Sequence, residues 1–286
     1  MKTFRKICAL AVISLMVSEV NAQSVKENYA TVNGIKYYYV TAGSGAPLVL
    51  MHGAFSTIDK DYGKLIPVLA KSHKIIGIEL QGHGHTADTD RPLTYEDLAK
   101  DVEQLLKQLN ITKADFMGYS MGGGVALQIA ITQPNLVRHL ILTSTAYSPQ
   151  GMNMANPDSL KQKKADDLDN TVWKKNYDKV APNPANWARL KSQVFASMGT
   201  WKGFNAADIK NMKAPTLLIF GDEDMSTPEH QVQMFRLLGG GNSGDLYELP
   251  NEQLAILPGT THVNMVDQTD LLAPIVTRFL ATKASK

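Results

Sequence analysis

Cysteine is almost missing from this chain. Its 286 residues hold one, Cys8, which excludes an intramolecular disulfide and a cysteine-only zinc site. An excess of either charge is missing too: 29 lysines and arginines stand against 27 aspartates and glutamates. That balance offers no case for nucleic-acid binding, which calls for a clustered basic surface. Membrane-spanning apolar runs are also lacking. The N-terminal run, Ile7 to Val17, is eleven residues interrupted by Ser14, against the roughly 20 that a bilayer requires. What is present is an ordinary globular composition, 44% hydrophobic and 20% charged. The length suits one α/β domain carrying an insertion.

Residues 1–22 read as a secretory signal peptide. Lys2, Arg5 and Lys6 precede the apolar run, and Val20-Asn21-Ala22 offers a small-residue cleavage site before Gln23. No small apolar lipobox precedes Cys8, so a lipid anchor is not expected. Cleavage removes three basic residues and Glu19, leaving 264 residues with 26 charges of each sign and no cysteine. The expected location is the periplasm or the medium, without a stable membrane anchor.

The remaining chain alternates short apolar strands with helices. Asn33-Gly34 marks a type I′ hairpin turn within Tyr29 to Val40. Strands are predicted at Leu48–Met51, Lys74–Leu80, Ala114–Gly118, Leu140–Thr143, Thr216–Phe220 and Leu254–Leu257. Helices are predicted from Thr94, where Asp97 takes the capping-box position, and at Gly122–Ile131, Pro228–Leu238 and Asp267–Leu280. Such alternation implies a mainly parallel sheet covered on both faces. The stretch 144–212 breaks the pattern and contains all three tryptophans, so it reads as a helical insertion. That divides the mature chain into a core of 23–143 and 213–286 and an insertion of 144–212.

The chemistry centres on Gly118-Tyr119-Ser120-Met121-Gly122, which has the spacing G-x-S-x-G between a predicted strand and a predicted helix. A serine on so sharp a turn is exposed, and the glycines let the backbone pass close to itself. Serine needs a base, and the base needs an orienting acid. Of seven histidines, His262 follows the last strand, at the same sheet edge as Ser120. His73 and His139 fall at the opposite edge, and His230, opening a helix, is expected to be solvated. The strand ending at Phe220 runs into Gly221-Asp222-Glu223-Asp224, three carboxylates of which one need face the histidine.

In this order of Ser, acid and His the chain resembles the α/β-hydrolase superfamily, over about Tyr29 to Leu280. The resemblance implies a mostly parallel eight-stranded sheet with helices on both faces and a helical cap insertion. Gly221, Asp224 and Pro228 match the family's acid motif, which makes Asp224 the acid and Asp222 the alternative. His52-Gly53-Ala54-Phe55 matches the loop after the third strand, so the backbone N–H groups of Ala54 and Met121 would form the oxyanion hole, with His52 holding the loop. Gly82-His83-Gly84-His85-Thr86 resembles the loop after the fourth strand, with Glu79 for the usual Asp and Thr86 for Ser. No cofactor and no metal are implied, for His83 and His85 lack partner ligands at metal-binding spacing. Relatives that act on epoxides or haloalkanes carry Asp where this chain has Ser120.

The insertion falls where the family places its cap. Phe55, Trp173, Trp187, Phe195, Met198 and Trp201 are the expected substrate contacts, an apolar and adaptable set. The expected reaction is hydrolysis of a small-molecule carboxylic ester or lactone by an exported serine esterase. The resemblance extends to antibiotic-inactivating esterases, so a macrolide lactone is one substrate it admits. The alternatives are a cofactor-free perhydrolase or haloperoxidase-like enzyme, and a non-catalytic binding protein on the same fold.

Overall fold

The computed structural model describes residues 24–152 and 165–282. The predicted signal peptide and residues 153–164 of the predicted insertion lie outside the described residues.

Eight strands form one sheet in the order β1-β2-β4-β3-β5-β6-β7-β8. They are β1 (Lys26–Val32), β2 (Ile35–Ala42), β3 (Ala46–Met51), β4 (His73–Ile78), β5 (Ala114–Tyr119), β6 (Val137–Thr143), β7 (Thr216–Glu223) and β8 (Gln253–Thr261). The β1–β2 hairpin turns at Asn33 and Gly34, both with positive φ as a type I′ turn requires. β2 joins β4 antiparallel, and every pairing from β4 to β8 is parallel.

Alternating residues of each central strand feed two separate cores. Leu48 and Leu50 of β3 pack with α1 (Ile58–Tyr62), α2 (Ile66–Leu69) and α9 (Thr269–Leu280) on one face. Val49 and Met51 pack with α3 (Tyr95–Gln108) and α4 (Met121–Thr132) on the other. α3 is amphipathic: Leu98, Val102, Leu105 and Leu106 are buried, and Thr94 caps it by accepting from the Asp97 N–H at 3.1 Å. α4 has no polar face to speak of, since Gly122 to Leu127, Ile129 and Ala130 are all buried. It is a core helix.

Between β6 and β7 lie α5 (Val172–Val180), α6 (Trp187–Thr200) and α7 (Ala206–Lys210). Trp187, Leu190 and Val194 turn inward from α6 at helical spacing. Its other contacts tie it to the loop after β4: Arg189 pairs with Asp88 at 2.6 Å and Asp90 at 2.7 Å. Gln193 Nε2 donates to the carbonyls of Thr89 and Arg91. α8 (Pro228–Leu238) follows β7 and ends at Gly239 in the left-handed region, a regular helix stop.

The sheet order reverses between β3 and β5. In open parallel sheets the crevice at that reversal, beyond the strand C-termini, is where ligands bind. Ala54 follows β3 there, and Ser120 follows β5.

Candidate active site

β5 turns directly into α4 at Ser120, whose φ of 51° and ψ of −113° lie outside the regions a side chain ordinarily favours. The turn is too tight for side chains on either flank. A Cβ on Gly118 would lie 2.3 Å from the Gly122 carbonyl oxygen, and one on Gly122 equally close to that of Met51. The Ser120 N–H donates to the Thr143 carbonyl at 2.9 Å, which fixes the elbow to β6.

His262 follows the end of β8. Its Nε2 lies 3.0 Å from Ser120 Oγ, and its Nδ1 lies 2.9 Å from Asp224 Oδ1. An ionised carboxylate only accepts, so Nδ1 carries the proton and Nε2 offers its lone pair to the serine hydroxyl. The Tyr119 hydroxyl donates to the His262 carbonyl at 2.8 Å, so the residue before the serine also anchors the histidine's backbone.

The two candidate acids are separated by a change of register between β7 and β8 at Gly221 and Glu223. Such a bulge re-aims the side chains beyond it. Asp222 is exposed and accepts from the N–H groups of Gly259 at 2.8 Å and Thr260 at 2.9 Å. Those bonds hold its carboxyl below the ordinary value. Asp224 is buried and faces His262. Burial pushes its carboxyl up, but His262, the Ser144 hydroxyl and the Gly221 N–H outweigh that and hold it below the ordinary value.

Met121 opens α4, so its N–H has no intrahelical acceptor. The loop bearing Ala54 lies beside it, for Gly122 N–H donates to the His52 carbonyl at 3.1 Å. A Cβ on Gly53 would stand 3.5 Å from Ser120 Cβ. His52 is buried. Its Nδ1–H donates to the Gly53 carbonyl at 2.7 Å and its Nε2 accepts from Leu80 N–H at 3.0 Å, which together define one neutral tautomer. Burial lowers its pKa to about 3.

Phe55 has a φ of 62°. Its ring meets Trp187 at 5.6 Å and Phe195 at 5.9 Å, so three of the expected substrate contacts form one aromatic group at the loop after β3. Trp201 belongs to a second group, with Tyr95 and Phe204. Trp173 is half-buried against the core, and Met198 is exposed on α6.

The remaining histidines divide by sheet edge. His139 Nδ1 lies 2.8 Å from Asp115, which Arg138 also binds and His73 approaches at 3.9 Å, all at the edge opposite Ser120. His85 donates from Nδ1 to the buried carboxylate of Glu79 at 2.9 Å, and Thr86 Oγ1 donates to the Glu79 carbonyl. Among the described residues no cluster of three or more His, Cys, Asp or Glu could hold a metal. His230 corrects an expectation: it is buried rather than solvated. Its ring stacks on Tyr147 at 4.4 Å, and its Nε2 accepts from Tyr147 N–H. Position at a helix start suggested solvent, but the chain leaving β6 covers that start.

Sequence reasoning missed Ser144 and the hydrogen bond of Tyr119. Ser144 directly follows β6 at the C-terminal sheet edge, and that position was the available signal.

The sequence model of the α/β hydrolase fold matches residues 46–189. A 2-hydroxy-6-oxo-6-(2'-aminophenyl)hexa-2,4-dienoic acid hydrolase of Metapseudomonas resinovorans is 22% identical over 94% of this chain and 95% of its own. A soluble epoxide hydrolase of Corynebacterium is 36% identical over 41% of each chain. Among solved structures, the 2-hydroxy-6-oxo-6-phenylhexa-2,4-dienoate hydrolase of Rhodococcus superposes with a TM-score of 0.74 at 19% identity. That match covers 91% of this chain and all of the other.

Proposed function

This chain belongs to the α/β hydrolase fold family, and within it we propose a serine hydrolase that cleaves a carboxylic ester or lactone. The observation that carries this reading is the unbroken line of hydrogen bonds from Asp224 through His262 to Ser120. Ser120 Oγ attacks the ester carbonyl while His262 Nε2 takes its proton. Asp224 holds the imidazole and stabilises the imidazolium that forms. The oxygen of the tetrahedral intermediate accepts from the N–H groups of Ala54 and Met121. His262 returns the proton to the departing alkoxide, then activates the water that hydrolyses the acyl-enzyme.

The group of Phe55, Trp187 and Phe195 supports an apolar or bulky substrate, and the insertion of 144–212, which carries α5, α6 and α7, is proposed as the cap. The basic N-terminus with its short apolar run supports export, with removal of residues 1–22.

The test is turnover of p-nitrophenyl esters of graded chain length, aryl esters, small and macrocyclic lactones, and a 2-hydroxy-6-oxo-dienoate. Labelling by a fluorophosphonate accompanies it. Ester or lactone turnover lost in Ser120→Ala is expected. Faster turnover of the dienoate, or turnover independent of Ser120, overturns the reading. N-terminal sequencing of exported protein should begin at Gln23; an intact leader on exported protein would sink the cleavage proposal, and protein found only in the cytoplasm would sink the export proposal.

A further inference from the structure

Beneath the loop of residues 52–56 lies a buried carboxylate to which the proposed reaction assigns no role. Asp61 is on the short helix α1, whose N-cap Thr57 accepts from Lys60 N–H at 3.1 Å. Its side chain turns away from solvent. Oδ2 accepts from the Gly53 N–H at 2.9 Å, and Oδ1 accepts from the Ser56 hydroxyl at 2.6 Å. The same carboxylate therefore grips the loop on both sides of Ala54.

The loop itself is a tight turn. Ser56 N–H donates to the Gly53 carbonyl at 3.3 Å, and Phe55 occupies the third position with positive φ. Glycine or asparagine usually fills that place, because a larger side chain is strained there. The turn needs outside support. His52 Nδ1–H supplies part of it at the Gly53 carbonyl. The peptide joining Gly53 to Ala54 is planar, and in its trans form the Ala54 N–H points opposite to the Gly53 oxygen. Fixing the Gly53 unit at both its N–H and its C=O thus fixes the direction of the Ala54 N–H.

We propose that Asp61 is a positioning residue for the oxyanion hole, clamping Gly53 and Ser56 so that the Ala54 N–H faces the oxygen that becomes charged. This rests on the acyl-transfer reading above. A buried carboxyl is a costly anchor. Burial raises its pKa to about 6, against the pull of the bonds from Ser56 and Gly53. In return, both acceptor oxygens of the anion suit two donors on one loop, a geometry an apolar residue of equal size cannot supply.

The experiment compares Asp61→Ala, Asp61→Asn and Ser56→Ala with wild type on p-nitrophenyl butyrate, and measures inhibition by an aryl trifluoromethyl ketone, whose adduct with the serine is tetrahedral. Loss of an entire oxyanion donor costs about 10²–10³ in kcat, so a misdirected one should cost Asp61→Ala roughly 10–100-fold. KM should hold within about twofold while ketone affinity falls in proportion to kcat. Asparagine can accept from Gly53 N–H and donate to the Ser56 oxygen, so Asp61→Asn should recover most of the loss. Ser56→Ala, which keeps the carboxylate, should lower kcat at unchanged KM, and it carries the test if Asp61→Ala does not melt cooperatively. Wild-type kcat in both Asp61→Ala and Ser56→Ala overturns the proposal. So does equal impairment of the Asn and Ala variants at position 61, or a fall in kcat with unaltered ketone affinity. Failure of the acyl-transfer reading shows itself elsewhere, in wild-type protein that does not turn over the ester or in Ser120→Ala that still does.

Discussion

The Ser144 hydroxyl donates to Oδ2 of Asp224, the oxygen that His262 leaves free. Ser144 itself is buried and has a φ of 49°. The hydroxyl helps to keep Asp224 ionised and aims its other oxygen at the imidazole. One hydrogen bond to a charged group contributes about 1.5–3 kcal/mol. Ser144→Ala should therefore lower kcat about tenfold or somewhat more, with KM unchanged. Steady-state kinetics that leave kcat at the wild-type value would remove this role.

Asp222 and Asp224 are two residues apart and should behave oppositely. Replacing a triad acid by its amide leaves the shape and removes the charge, with losses of about 10⁴ in kcat for a known triad. Asp224→Asn should approach that. Asp222→Ala should stay within a few-fold of wild type in kcat but melt at lower temperature, because it frees the Gly259 and Thr260 N–H groups. Comparable activity of Asp224→Asn and wild type would contradict the assignment of the acid.

Two buried histidines predict how stability depends on pH. Burial lowers His52 to about 3 and His83 to about 4. In the unfolded chain both titrate near 6.5. Between those values the unfolded state binds protons that the folded state refuses, so stability is lost as pH falls below about 6.5. The melting temperature should drop from pH 7.5 to pH 5. His83→Phe should make that drop smaller, since it removes one of the two titrating rings; of the ring's polar contacts it gives up the one from Nδ1 to the Gln81 carbonyl, for Nε2 has no partner among the described residues. An identical drop in the variant would show that His83 does not contribute.

Glycines in two helices should respond in opposite directions. A Cβ on Gly123 of α4 would lie 1.8 Å from Thr145 Oγ1, which is itself held by the Thr143 carbonyl. Gly123→Ala should cost about 1–3 kcal/mol by overpacking. Among the described residues, Gly199 of α6 has nothing within 4 Å of such an atom. Gly199→Ala should be neutral or stabilise by up to about 1 kcal/mol. Denaturant unfolding of both variants measures this, and a stabilised Gly123→Ala would contradict the packing behind the elbow.

What could be read in the sequence follows from how local each signal is. The strand, turn and helix around Ser120 are adjacent in the chain, so the elbow is legible from glycine spacing and apolar runs alone. The alternation of strands and helices likewise gave the layered sheet. Asp222 and Asp224 could not be separated by periodicity, because the bulge that turns them to opposite sides depends on pairing with β8. Ser144 and Asp61 act through partners 80 and 8 residues away whose approach is a property of the folded sheet. The burial of His230 is hidden from the sequence for the same reason, since Tyr147 covers it from a different element.

Ser120 and His262 meet across 142 residues of chain. During synthesis the elbow can form as soon as β3, β5 and β6 are available, yet the imidazole arrives only with the last strand. A nascent or truncated polypeptide therefore displays a serine with no partner to activate it. A proteolytic cut in the exposed loop before β8 threatens the same meeting while leaving the serine in place. Chemical competence is thus a late event in the life of the molecule, gained only when the end of the chain docks beside its middle.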